Sequence, residues 1–375
     1  MMRAARYYGK EDIRIEQIPE ASTGPNEIKV APAFVGICGT DLHEYLSGPT
    51  FAPVEPHPLT KDAIPITLGH EFSGVIREIG AAVPPAHEAG GRTTFRVGQK
   101  VVVQPTVYCG ACGACRNGVE NACHSGGFVG LSGGGGGLSD AVVVPNGAVL
   151  PLPDGVPLDV GALVEPLSVA WHATEAAGGN LTEDSTALVL GGGPIGLAVV
   201  QCLAAKNVKK IIMSEIAAQR QKFAREFGAH HVLDPKTYDL ATISRQLSGG
   251  DGPDVVFDCA GVPSSLMTAC AAVKARGTVV NVAIWQKEVP FQPNMLTFKE
   301  ASYTAVLGYQ RKDFEAVIEN LANGHLKPRR MITGCIQLED LIEKGFMPLI
   351  NEKEKNVKIL VEIAPQLEKV DSLTA

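Results

Sequence analysis

The sequence predicts an α/β chain of two domains: a mainly β domain into which a doubly wound parallel sheet is inserted. Three observations predict it. At 375 residues the chain exceeds one ordinary domain. Its first part, to about residue 160, carries short Val- and Ile-rich runs bounded by Gly, Pro and Asn, with few long helical patterns. From about residue 167, continuous apolar runs alternate with helical segments, as in a parallel sheet covered on both faces. With 45% hydrophobic and 19% charged residues, the chain has apolar material for two large cores.

In the first domain, "NEIKVAPAFVGIC", "EFSGVIREIG" and "GQKVVVQPTV" read as strands. "GPTFAPVEPHPLTKDAIP" and "AAVPPAHEAGGRTTFRVG" read as surface excursions, the second including the stretch 87–94, whose purpose the sequence leaves open. The five glycines at 133–137 cannot hold regular structure cheaply, so a mobile loop is expected there rather than an approach to a ligand. In the second domain six apolar runs, in "TALVL", "KKIIMSE", "HHVLD", "PDVVFDCAG", "GTVVNVAI" and "SYTAVLG", suit a doubly wound dinucleotide-binding sheet. "AAQRQKFAREFG" and "PSSLMTACAAVKA" are helices between them. After residue 309, "RKDFEAVIENLANG" reads as a helix and "KNVKILVEI" as a strand. The expected division is 1–166 for the first domain, 167–309 for the insertion, and 310–375 for a return to the first.

The formal charge of −7 argues against a general affinity for nucleic acid or anionic membrane. No apolar stretch is long enough to span a bilayer, and "MMRAARYYGKEDIRIE" lacks the apolar core of a secretory signal. The expected compartment is the cytoplasm, where thiols stay reduced.

Gly191, Gly193 and Gly196 form G-x-G-x-x-G, with Pro194 and Ile195 between. The pattern alone is weak, but here it follows the strand "TALVL" and opens the helix "LAVVQCLAA". Without Cβ atoms the backbone turns tightly and approaches a pyrophosphate, which the helix N-terminus attracts. Pro194 fits the first helical turn, where a missing N–H costs little. Glu215 ends the next strand, placed to accept hydrogen bonds from both ribose hydroxyls and to repel a 2′-phosphate; NAD is favoured over NADP. The bland alternative for Glu215 is an exposed strand-end charge. Arg220 is placed to stack on adenine or to soften the exclusion of the phosphate.

Cys109, Cys112, Cys115 and Cys123 have the spacing C-x2-C-x2-C-x7-C. Four thiolates from a tight loop close a tetrahedral coordination sphere and leave no open position, so the site is structural zinc. A disulfide framework and an iron–sulfur cluster are the alternatives, and the reducing compartment and spacing favour zinc. Cys202, Cys259 and Cys270 lie in apolar patterns and read as buried, inert thiols; Cys335 lies in a mixed one.

"GICGTDLHEY" and "LGHEFSG" supply Cys38, Thr40, His43, His70 and Glu71. A thiolate and an imidazole suit zinc, but the donors lie far apart in sequence, and spacing alone leaves metal and structural readings balanced. Glu165 in "GALVEPLSVAWHA" is a third candidate donor; its bland role is to complement a helix N-terminus.

With "CGTDLH", "GHEFSG", the four-cysteine lobe, "EPLSVAWHA" and "GGGPIG" together, the chain resembles the zinc-dependent medium-chain dehydrogenases over nearly its whole length. Within them it is most similar to the 2,3-butanediol dehydrogenases, through "FDCAGVP", "GTVVNVAIW" and "LGYQRKDFEAVI". The resemblance implies a GroES-like catalytic domain wrapped around a Rossmann domain, two zinc ions per chain, NAD, and a homodimer or homotetramer. It implies Cys38, His70 and Glu165 as ligands of a catalytic zinc, and Asp41 as the acid orienting His70. Glu71 matches an acid behind the metal that is able to swing in, so either glutamate is a candidate resting ligand. It implies a relay in which Thr40 takes the hydroxyl proton, the nicotinamide ribose passes it on and His43 delivers it to solvent. The expected reaction is (R,R)-2,3-butanediol to acetoin. Sorbitol, xylitol or threonine oxidation is the alternative within the same chemistry. A zinc- and dinucleotide-binding sensor is the non-enzymatic alternative, which has no need of such a relay.

Overall fold

The computed structural model describes residues 1–84, 94–285, 287–364 and 367, so most of the 87–94 stretch lies outside the described residues. The chain forms two compact units: Met1–Glu165 with Gln310–Ile318 and Ile332–Ala375, and Pro166–Tyr309 with Glu319–Met331. Within the C-terminal part, Glu319–Met331 packs with the second unit and the flanking segments with the first.

The first unit is built on antiparallel pairing. Glu71–Ile79 and Lys358–Glu362 lie on either side of Glu27–Gly36, and Val142–Pro145 also pairs with that strand. Glu27–Gly36 is buried along nearly its whole length, which explains why its sequence reads as one apolar run rather than an alternation. The core gathers Val30, Val35, Phe72, Ile76 and Val361 from these strands, with Val101 from the strand Lys100–Val103 and Leu138 from outside the strands. Fully burying a side chain of this kind contributes roughly 1.5–3 kcal/mol.

The glycines at 133–137 are not a mobile excursion. Gly133, Gly136 and Gly137 are buried. A Cβ on Gly136 would stand 2.3 Å from the Leu68 carbonyl oxygen, and one on Gly137 would stand 2.7 Å from the Phe72 ring. Gly134 N–H donates to Asp62 Oδ2 at 2.7 Å, and Thr60 Oγ1 donates to the Ser132 carbonyl at 2.7 Å. The glycines permit close backbone packing, and the proline-rich excursion is fastened to them.

The second unit holds the six parallel strands. In space they run His231–Leu233, Lys210–Ser214, Thr186–Leu190, Val255–Asp258, Thr278–Asn281 and Ser302–Ala305. In chain order that is 3-2-1-4-5-6, the dinucleotide-binding order, and every neighbouring pair is parallel. Strand order reverses at Thr186–Leu190, where the carboxyl ends open a crevice. Among the described residues no helix is long and apolar enough to cross a membrane.

Candidate metal centres and dinucleotide site

Register joins the distant metal donors. Gly36 pairs with Glu71, so Cys38, two residues beyond one strand, meets His70, one residue before the other. Ligand atoms of Cys38, His70 and Glu71 all lie within 4.8 Å of one another. A Cβ on Gly36 would fall 2.1 Å from Glu71 Oε2, so only glycine leaves Glu71 its place.

Cys38 caps the helix Gly39–Ser47, and Asp41 Oδ2 accepts the Cys38 N–H at 2.9 Å. The other Asp41 oxygen faces His70 Nδ1 at 3.6 Å, across which neither buried atom has a hydrogen-bond partner. Burial works to lower the His70 pKa, but Asp41, Cys38 and Glu165 outweigh it and hold the imidazole well above 6.5. A site that gathers this much negative charge around buried donors fits a cation. Glu165, on Val164–Ala176, is buried and acts electrostatically on His70 but stands outside the three-donor cluster. Thr40 and His43 share one face of Gly39–Ser47, both half-buried, with Thr40 Oγ1 3.7 Å from Cys38 Sγ.

Lys358 is the residue that spacing does not single out. It lies 2% exposed, and its Nζ donates to Glu71 Oε1 and Oε2 at 2.8 and 2.6 Å and to the Ile37 carbonyl at 3.0 Å. The available cue is a lone cation inside the apolar run "VKILVE". Burial lowers its pKa, but Glu71, Cys38 and Glu165 reverse the effect and leave it raised.

The four cysteines of the lobe converge. Sulfur separations are 3.5 Å for Cys112–Cys115 and 3.9 Å for Cys109–Cys115 and Cys112–Cys123. Four sulfurs about 2.3 Å from a central zinc would stand about 3.8 Å apart, whereas a disulfide needs about 2 Å. Backbone N–H groups of Cys115 and His124 bring the Cys112 pKa down to about 6, while burial and neighbouring thiols raise Cys115 to about 12. Sulfurs this close become anionic together only around a cation, and the set fits zinc. Of the remaining thiols Cys202 and Cys270 are buried, but Cys259 is half-exposed and Cys335 exposed.

In the second unit the glycine turn joins Thr186–Leu190 to the helix Pro194–Ala205. Gly191 has φ +94°, and a Cβ on Gly196 would fall 1.8 Å from the Gly191 carbonyl oxygen. Gly193 is the N-cap, Pro194 opens the helix, and Gly193, Pro194 and Ile195 are partly exposed. Glu215 is not an exposed strand-end charge: it is buried, with Oε2 accepting from Gly192 N–H and Oε1 from Ala217 N–H, both at 2.7 Å. Arg220 is half-buried on Ala218–Glu226.

Residues 24–154 match the alcohol dehydrogenase GroES-like domain, and residues 194–323 match the zinc-binding dehydrogenase family. The chain is 41% identical to a (R,R)-butanediol dehydrogenase of Bacillus subtilis, over 96% of this chain and 99% of that one. It is 39% identical to one from Saccharomyces cerevisiae, over 96% and 98%. A crystal structure of 2R,3R-butanediol dehydrogenase from Bacillus subtilis superposes with a TM-score of 0.88 at 40% identity, covering 96% of this chain and 99% of that one.

Proposed function

The chain belongs to the zinc-binding alcohol dehydrogenase family, and we propose that it interconverts (R,R)-2,3-butanediol and acetoin with NAD. The observation that carries the reading is the meeting of Cys38, His70 and Glu71 through strand register, with Glu165 in electrostatic reach. Relatives that share about two residues in five over nearly the full chain support the diol as substrate.

When bound, zinc supplies a Lewis acid that draws a substrate hydroxyl's pKa from about 16 toward neutrality. NAD supplies the hydride acceptor. Cys38, His70 and Glu165 would hold the zinc, with Asp41 behind the imidazole, 3.6 Å from His70 Nδ1, as the acid that would orient it. Thr40 takes the hydroxyl proton, and His43, one turn along the helix, releases it to solvent. Diol and NAD thus yield hydroxyketone, NADH and a proton. Glu215 receives the adenosine ribose, and the Gly191–Gly193–Gly196 turn receives the pyrophosphate. The four-cysteine lobe would hold a second zinc as a structural clamp.

The proposed setting is the cytoplasm, where thiols stay reduced and able to bind metal. A homo-oligomer belongs to the same reading. Ser302–Ala305 is an edge strand with Ser302, Tyr303 and Ala305 exposed, and Phe298 nearby in sequence is 85% exposed. Light scattering on the purified protein tests it. The test of function is NADH formation across diols, polyols and threonine, with NAD and NADP in parallel and metal analysis on the same sample. A preference for sorbitol, xylitol or threonine would replace the proposed substrate, and no turnover on a zinc-loaded sample would replace the enzymatic reading.

A further inference from the structure

A lysine ammonium is costly to bury unless all its donors are matched. Lys358 meets that condition with three acceptors, Ile37 O and both oxygens of Glu71. Ile37 immediately precedes Cys38, and Glu71 immediately follows His70. One ammonium, carried by a third strand, therefore ties together the two segments that bear the metal donors. Register places it there: Leu360 pairs with Gly36, so Lys358 stands opposite the position of Cys38.

The same contacts engage both oxygens of a carboxylate that lies within 4.8 Å of the Cys38 and His70 ligand atoms. Glu71 is near enough to compete for the ion, yet its charge is already balanced. We propose that Lys358 is a positioning residue that keeps Glu71 as its own partner and so leaves the third protein position on zinc to Glu165. The proposal rests on reading Cys38 and His70 as zinc ligands. Geometry supports it: the ammonium engages both oxygens of Glu71, and without it Glu71 turns to the ion.

The experiment replaces zinc by Co2+ and records the visible spectrum and the rate of metal release to a chelator, beside steady-state kinetics. A Cys38→Ala protein supplies the background from the four-cysteine lobe. With Lys358 present, Glu71→Gln leaves the cobalt spectrum unchanged, while Glu165→Gln alters it. Lys358→Met shifts the spectrum, slows metal release, and lowers kcat by about 10–100-fold. Adding Glu71→Gln to Lys358→Met restores the wild-type spectrum and part of the rate, and this pair buries no lone charge if Lys358→Met alone folds poorly. A Glu71→Gln spectrum altered as much as that of Glu165→Gln overturns the proposal. So does a Lys358→Met protein with reduced rate but wild-type spectrum and release, which marks a purely structural lysine. If the wild type shows no cobalt signal beyond the Cys38→Ala background, the zinc reading itself falls.

Discussion

Replacing Glu215 by Ala should collapse the preference for NAD, and the structure sets the size of the effect. Each carboxylate oxygen offers two lone pairs. One on Oε2 is taken by Gly192 N–H and one on Oε1 by Ala217 N–H, each at 2.7 Å. One acceptor position remains on each oxygen, matching the two ribose hydroxyls. Hydrogen bonds to a charged acceptor are worth about 1.5–3 kcal/mol each, so the pair supplies about 3–6 kcal/mol. Water entering the vacated space returns part of this, and about 3 kcal/mol remains, or roughly 150-fold in affinity. KM for NAD should rise by about two orders of magnitude, while NADP, no longer facing a buried carboxylate, binds better. Gly192→Ala is an independent check, because its Cβ would stand 2.7 Å from Glu215 Oε2 and 2.9 Å from Cγ. That displaces Glu215 without removing its charge, and the same shift should follow at smaller size. The assay is NADH or NADPH formation at saturating diol. A Glu215→Ala protein with the parent KM for NAD and continued exclusion of NADP would refute the reasoning.

Further expectations follow from the same geometry. Glu165→Ala should lose the reactive zinc and turnover together, metal content falling from about two ions to about one per chain; full metal content at an unchanged rate would remove Glu165 from the site. His43→Ala should slow the reaction most at low pH, where solvent is a poor proton acceptor, and added base should recover part of the rate; absence of rescue points to another exit for the proton. Cys112→Ser should empty the lobe of metal and expose 109–123 to protease, while a cobalt signal dependent on Cys38 persists. Lys299 donates to the carbonyls of Cys270, Ala271 and Val273 at 2.9, 2.7 and 2.8 Å, satisfying the end of the helix Pro263–Ala272. Lys299→Met should cost about 2–3 kcal/mol once the ammonium's desolvation is set against three charge-assisted bonds, a Tm loss of several degrees by calorimetry.

Local order was legible and long-range register was not. "TALVL", "PDVVFDCAG" and their neighbours are apolar on both faces, which only a covered parallel sheet explains, and the six strands follow that pattern. The convergence of Cys109, Cys112, Cys115 and Cys123 was readable for a similar reason, since a short loop brings its own residues together. Cys38, His70 and Lys358 meet only because Glu27–Gly36 pairs with strands before and after it at one particular offset, and no local periodicity encodes an offset. The glycines at 133–137 misled for another reason. Conformational freedom in the sequence was read as motion, but the chain uses it to pack backbone against backbone.

The placement of Lys358–Glu362 beside Glu27–Gly36 also imposes an order on biosynthesis. A nascent chain leaving the ribosome can close its four-cysteine lobe as soon as 109–123 has emerged. The donors from 38 to 71 emerge earlier still, yet the strand that completes their surroundings does not exist until residue 358 has been translated. The lobe can thus close early in synthesis, and the surroundings of the other donors only near its end. A chain halted between those points would hold Cys38, His70 and Glu71 without the ammonium that pairs with Glu71.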